Sequence, residues 1–360
     1  MGMLAQILIA VALAGCGGTR SGEPTILATM DSSPEGELSQ RSEEFAPKGP
    51  VSLRYRVPDK DGNAYRLTLE TMGEQTSRTP TDGKAQEPRR ESHVLEVEYR
   101  ELPLEGSEKR DDTSALRLDG LHYIQMQKNP DAQREIELAN DRLRLFINGE
   151  KKTDIGGAQA EGRLTPRNML GRIFGVIVHN PTGNPMKVSR KGVPAVRKYL
   201  SGLPMLSGIV YAMIPVPEDP IGPGSHWTAV RYPANRAGEL GLQLNIEYSV
   251  AGYVVLDGVP CALVKLHADE RGSGVPSTAG VTFDRVNATL TGTAWIELET
   301  THPRRVILED EIRATWTTGG GSAAARNFQL RYESQLEMTL RNPTKKSKLW
   351  ADGSKRFRER

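Results

Sequence analysis

Apolar and polar residues alternate along much of the chain, and the alternation sets its architecture. Val51, Leu53, Tyr55 and Val57 alternate with Ser52, Arg54 and Arg56. Tyr65, Leu67 and Leu69 then alternate with Arg66, Thr68 and Glu70, and Leu95, Val97 and Tyr99 with Glu96, Glu98 and Arg100. Successive side chains of a strand point to opposite faces of its sheet, so this period of two predicts half-buried antiparallel strands. Shorter strands are predicted at Ala115 to Leu118, Tyr123 to Met126, Glu135 to Leu138 and Arg142 to Ile147, the last closed by the turn pair Asn148-Gly149.

The second half carries the same pattern more plainly. Leu242, Leu244, Ile246, Tyr248 and Val250 form one face of a strand, and Asp257-Gly258 marks a tight turn into the run Val259 to Leu266. Ala288 to Glu299, Val306 to Trp316 and Phe328 to Leu340 continue the meander. The last alternates for 13 residues, more than twice the ~5 to 6 residues of a common strand, and strands of that length must bend or coil. The expected fold is mainly β: one or more long antiparallel curved sheets, or a half-barrel, with a short helical or loop insertion covering one face.

That insertion falls between the two meanders. Leu170 to Val178 is a compact apolar run, and the 19 residues from Tyr199 to Pro217 carry no charge. Pro204, Pro215 and Pro217, with Gly202 and Gly208, argue against a membrane span, since a bilayer cannot replace the backbone hydrogen bonds that internal prolines remove. A short helix near Met205 to Met213, buried on the sheet, is expected instead. As the most apolar stretch outside the N-terminus it needs cover, from the sheet or from a ligand. Leu203, Leu206, Ile209, Val210 and Met213 are the candidate ligand-contacting residues.

The N-terminus carries an address. Met1 to Ala14 lacks any charged side chain, and Leu4 to Ala14 is an apolar run of the length of a signal-peptide core, too short for a bilayer span of ~20 residues. Leu13-Ala14-Gly15-Cys16 resembles the lipobox of bacterial lipoproteins, which implies cleavage before Cys16 and palmitate among the acyl chains on its thiol. Gly17, rather than Asp, follows the cysteine, and in that class this implies the periplasmic face of the outer membrane. Residues 17 to 48 hold five Ser, four Gly, three Pro and six acidic residues, a composition that reads as a flexible tether. The expected organisation is a signal peptide over 1–15, lipidated Cys16 and tether over 16–48, a first β meander over 49–150, a helical and proline-rich connector over 151–225, a second meander over 226–340 and a basic tail over 341–360. That tail carries eight basic and two acidic side chains.

Charge and motifs narrow the function. Across 360 residues, 47 Lys and Arg against 45 Asp and Glu leave a formal charge of +2, which gives no field calling for nucleic acid. The six histidines stand singly, without zinc-site spacing, and neither His-Glu-x-x-His, Gly-x-Ser-x-Gly nor a phosphate loop occurs. Asp59, Asp61, Asn63 and Glu70 have the spacing of calcium-loop ligands, but Ala64 and Arg66 break that pattern, so a turn on Asp61-Gly62-Asn63 is expected. Cys261 sits in a strand-like run with no second cysteine but Cys16, and reads as a small buried residue. Pro217 to Trp227 resembles the stretch before the second sheet in an uncharacterised family of exported β-rich bacterial proteins, His226 and Trp227 being a turn residue and a core anchor. No cofactor or metal is expected. The sequence thus predicts a non-catalytic envelope lipoprotein, similar in outline to half-barrel lipid carriers, holding a lipid or other apolar ligand. The alternative is a structural lipoprotein whose partner is another envelope protein.

Overall fold

The computed structural model describes residues 42–44, 47, 49–58, 60–78, 86–104, 113–128, 131–140, 142–156, 170–190, 202–318 and 326–341. The signal peptide, Cys16, most of the tether and all of the basic tail after Arg341 lie outside them. Sixteen strands form one large antiparallel sheet that does not close into a barrel. They are β1 (Ser42–Glu44), β2 (Asn63–Arg78), β3 (Arg89–Pro103), β4 (Thr113–Lys128), β5 (Ala132–Ala139), β6 (Arg142–Ile147), β7 (Glu150–Gly156), β8 (Ile173–His179), β9 (Pro185–Arg190), β10 (His226–Arg231), β11 (Leu244–Leu256), β12 (Val259–Gly272), β13 (Val275–Pro276), β14 (Thr282–Glu297), β15 (Pro303–Thr318) and β16 (Arg326–Arg341). Among the described residues, two short helices, α1 (Met205–Ala212) and α2 (Arg236–Glu239), lie between β9 and β11.

The two predicted meanders are halves of a single sheet. Its order runs β1-β11-β12-β14-β15-β16-β2-β3-β4-β5-β6-β7, so the last strand pairs with β2 along a seam from Ala64↔Arg341 to Arg78↔Asn327. The turn predictions hold at both hairpins tested. Asn148 and Gly149, and Asp257 and Gly258, all have positive φ, as the tightest two-residue connections require. Register shifts at Glu98/Tyr99, Val250/Gly252 and Phe283/Arg285 insert bulges into the long ladders and bend them.

Several expectations need correction. Val51 to Val57 alternates as read, with Leu53 buried, but makes only the bridge Val51↔Ile221 and is no strand. Prolines 50 and 58 bracket it, and the alternation there records which side meets the core, not a backbone ladder. Ala115 to Leu118 and Tyr123 to Met126 are parts of one 16-residue strand, β4. The first meander runs on through β7 to Gly156, and the connector holds β8 and β9 as well as α1. Leu170 to Val178, the compact apolar run, supplies β8, whose Phe174 to Ile177 are buried in succession and so lack a period. Within the tether, Ser42 to Glu44 pair with β11 as β1.

The short helix lies where the sequence put it. α1 contacts β15, β16 and β2 across the seam. It is eight uncharged residues with no side-chain N-cap, too short to be stable alone, so its stability comes from packing. Gly208 faces β2, where an added Cβ would lie 3.5 Å from Leu67 and 3.6 Å from Leu69. Extended backbone at Met213, followed by Pro215 and Pro217, ends the helix. Trp227 stacks on Tyr248 with ring centroids 5.4 Å apart and donates Nε1–H to the Pro215 carbonyl at 2.9 Å, which ties the connector to β11.

Candidate functional site

The sequence-predicted ligand contacts sit on α1 and its flanks. Ile209 has no exposed surface and Leu203 is buried, both within the main core. Leu206, Val210 and Met213 are half-buried and pack against that core. An added Cβ on Gly175 would lie 3.0 Å from Leu206, which places that side chain tightly over β8. These five residues therefore cover the inner face of the sheet themselves. Cys261 is fully buried in β12, and burial pushes its thiol up to about 12.

Beside α1 the same face turns polar, for a reason visible in the register. One row across five strands reads Leu308↔Leu336↔Leu69↔Leu95↔Tyr123. Two residues along each strand, the next row is Asp310↔Ser334↔Thr71↔His93↔Gln125, and the row after it is Ile312↔Tyr332↔Gly73↔Glu91↔Gln127. The polar rows line a cavity of ≈ 250 Å³, closed on the far side by Gly202, Pro204 and the segment from Ala234 to Glu239 that contains α2. Larger hollows of ≈ 770 Å³ at the sheet end and ≈ 740 Å³ along the proline-rich connector are lined by a mixture of exposed and buried residues. The smaller one holds the partly buried titratable groups.

Those groups form a chain. Tyr332 donates its hydroxyl hydrogen to Glu91. His93 Nε2 lies 3.7 Å from Glu91 Oε1, and His93 Nδ1 lies 2.6 Å from the Tyr123 hydroxyl. Burial works to raise the Glu91 pKa, but the hydrogen bonds from His93 and Tyr332 prevail and hold its carboxyl at about 2. Burial raises both tyrosines above their ordinary range. Gly73 makes room for this arrangement: a Cβ there would lie 2.2 Å from the Tyr332 ring.

A second polar group fixes the cover. Asp310 is buried on the inner face, accepting from Tyr211 of α1 at 3.1 Å and from Asn235 Nδ2 at 3.1 Å. Asn235 also donates to Ser334 Oγ at 3.0 Å and caps α2 by accepting from Ala237 N–H. Burial drives the Asp310 carboxyl up to about 7, against hydrogen bonds from Ser334, Tyr211 and Asn235.

One constellation invites a catalytic reading and does not support it. Ser114 Oγ and His179 Nε2 are 3.0 Å apart, with Glu101 3.8 Å from the same ring nitrogen. The other ring nitrogen, Nδ1, meets the Gly183 carbonyl at 3.2 Å, so the carboxylate does not orient the imidazole as a triad acid does. Ser114 has no exposed surface, and Tyr55, stacked on His179 at 4.4 Å, donates to Glu101 at 2.9 Å. The group pins β3, β4 and β8 to the 50–58 segment.

Sequence reasoning missed Asp310, Thr71, Glu91, His93 and Tyr332 as a set, yet a signal existed. Asp310 falls in phase with Val306, Leu308 and Ile312, and Glu91 and His93 fall in phase with Leu95 and Val97. A charged residue in the apolar phase of a long strand is a buried or cavity-facing group.

Among the described residues no helix is long and apolar enough to cross a membrane. No protein-family model matches the chain. No curated protein matches it. A solved structure, the enduracididine biosynthesis enzyme MppR complexed with the condensation product of pyruvate and imidazole 4-carboxaldehyde, aligns at 10% identity over 84% of this chain and 100% of that one. Its TM-score of 0.08 carries no argument about fold or activity.

Proposed function

We propose that the protein is a non-catalytic lipoprotein of the bacterial envelope, anchored through Cys16, that binds a lipid or other apolar ligand on the inner face of its open sheet with α1 as the cover. The observation that carries this reading is α1 itself. An uncharged helix with no side-chain cap lies across the seam on apolar contacts, with the Tyr211–Asp310 hydrogen bond as its side-chain polar tie to the strands beneath. Lifting this cover would expose Met205, Ile209 and Tyr211 at a cost of several kcal/mol, about 1.5 to 3 for each side chain, which an acyl chain laid against Leu67, Leu69 and Leu336 would have to offset. The anchoring half of the proposal rests on Leu13-Ala14-Gly15-Cys16. Three acyl chains would hold the protein firmly, at about 0.8 kcal/mol per buried methylene.

Two measurements test the halves separately. Cys16→Ser should abolish palmitate labelling and release the protein from membranes, with the fold unchanged; a wild type that fractionates as soluble overturns the anchor. Native mass spectrometry of tag-free protein should show co-purifying lipid, and a fluorescent fatty acid should bind and be displaced by unlabelled lipid. The complete burial of Ile209 and Ala212 favours a second reading, in which the sheet and α1 are a permanently packed core and the partner is a protein. A lipid-free chain that does not take up the fluorescent probe leaves that reading standing.

A further inference from the structure

The inner-face cavity beside α1 has properties that an acyl chain cannot use. Its walls sort into committed and uncommitted groups. Tyr332, Glu91, His93 and Tyr123 are tied to one another, and Asn235 spends its amide on Asp310, Ser334 and the α2 backbone. Thr71, Gln75 and Gln125 also line the cavity, and their side chains make no hydrogen bond to another described residue. None of their polar atoms is orphaned in the dry interior, so these atoms reach the open space of the cavity. A hydroxyl and two amides supply donors and acceptors in alternation, on strands held rigid by neighbouring ladders.

Charge completes the description. Arg89 stands 3.5 Å from Glu91, and Arg236 pairs with Glu239 at 2.7 Å, so the cationic groups at the rim are balanced by carboxylates that also line the cavity. An anion would meet Glu91, and a cation would meet two guanidinium groups. A neutral molecule rich in hydroxyls meets neither penalty and can satisfy the amides, the Thr71 hydroxyl and the free lone pairs of Glu91 together. At ≈ 250 Å³ the space is below the ~300 Å³ where drug-sized sites begin, which sets the scale at one ring.

We propose that this cavity is a binding site for a neutral polyhydroxylated ring, the chemistry of a single sugar residue, recognised by Thr71, Gln75, Gln125 and Glu91. It goes beyond the apolar-ligand reading and does not depend on it, because a sugar enters here without moving α1. The sugar can be free, or can be the headgroup of a lipid whose chain lies under α1.

Saturation-transfer NMR on the full chain in a sugar-free detergent tests the proposal with four probes: glucose, octyl glucoside, glucuronate and glucosamine. Glucose and octyl glucoside should bind with millimolar affinity, and the two charged sugars at least ten-fold more weakly. Gln75→Leu/Gln125→Leu alters only uncommitted side chains, so its thermal melt should match the wild type while sugar affinity falls at least ten-fold. If octyl glucoside binds and glucose does not, the source is a lipid headgroup; if both bind alike, a free sugar suffices. Absence of signal from both neutral probes, equal binding of the charged ones, or full binding by the folded double variant overturns the proposal. Fatty-acid binding is read in a separate assay, so the two readings can fail independently.

Discussion

Asp310→Asn should convert a pH-dependent stability into a flat one. In the folded chain burial raises this carboxyl from 3.8 to about 7, so between those values the native state holds a proton that the unfolded chain has released. Stability from this group is therefore complete below about pH 4 and is lost as pH rises through about 7. About three pKa units at ~1.4 kcal/mol each give a loss of roughly 4 kcal/mol by pH 8, an upper figure if the site admits water on ionising. Asparagine has nearly the shape of the neutral acid and cannot ionise. It imposes its own cost, since its amide nitrogen cannot accept the hydrogen bonds that both Asp310 oxygens now take from Tyr211 and Asn235, and re-sorting those partners costs about 1 kcal/mol. Urea unfolding at a series of pH values should then give curves that cross at about pH 4.5: the variant slightly weaker than wild type at pH 4, and stronger at pH 8. Taking the difference between the two proteins cancels the other titrating groups, Glu91 included, whose depressed pKa of about 2 matters only in acid. Parallel curves, with the variant weaker by a constant amount, would refute the reasoning by showing that Asp310 keeps one protonation state across that range.

Gly73→Ala should destabilise by about 1 to 3 kcal/mol, read as a lower urea midpoint, because the new methyl meets the Tyr332 ring at 2.2 Å and must push it off Glu91. Ile209→Asp should cost several kcal/mol by burying an unpaired carboxylate, whereas Leu206→Asp, at a half-buried position, should cost less; equal costs in thermal melts would show that Ile209 is not buried more deeply than Leu206. Cys261 should stay unreactive toward a thiol reagent at pH 8 in the native protein and react on unfolding, since its thiol has no exposed surface and is pushed up to about 12.

The strands were legible where one face of the sheet meets solvent. In β15, Val306, Leu308, Ile312 and Ala314 are buried while Glu309 and Arg313 are exposed, and that difference is written in the sequence as a period of two. β8 was illegible for the opposite reason, being covered over most of its length, so its apolar run carries no period and resembles a buried helix. At Val51 to Val57 the period was present without the ladder, because alternation reports the environment of side chains and is silent on where backbone N–H and C=O groups find partners. The site was beyond reach for a different reason. His93 and Gln125 are neighbours only because β3 and β4 pair in one register, and Thr71 joins them only because β2 pairs with β3 in another. The single residues could be flagged, but their assembly into a row depends on which strands adjoin.

The place where these polar groups collect explains why the fold can carry them. β16 and β2 are distant in sequence, and no tight turn fixes their register as Asn148-Gly149 fixes that of β6 and β7. A slip of one residue would turn Tyr332 and Ser334 outward and carry Arg331 and Glu333 onto the apolar face. Apolar residues face each other at Leu336↔Leu69, Met338↔Leu67 and Leu340↔Tyr65, and such pairs discriminate weakly between registers two residues apart. Gly73↔Tyr332 and Thr71↔Ser334 discriminate strongly. The Tyr332 ring fits over a residue without a Cβ, and Ser334 must reach Asn235. The polar row thus specifies the joining of the two halves at the line α1 and α2 cover. A ligand site built there uses side chains that the seam already holds in place.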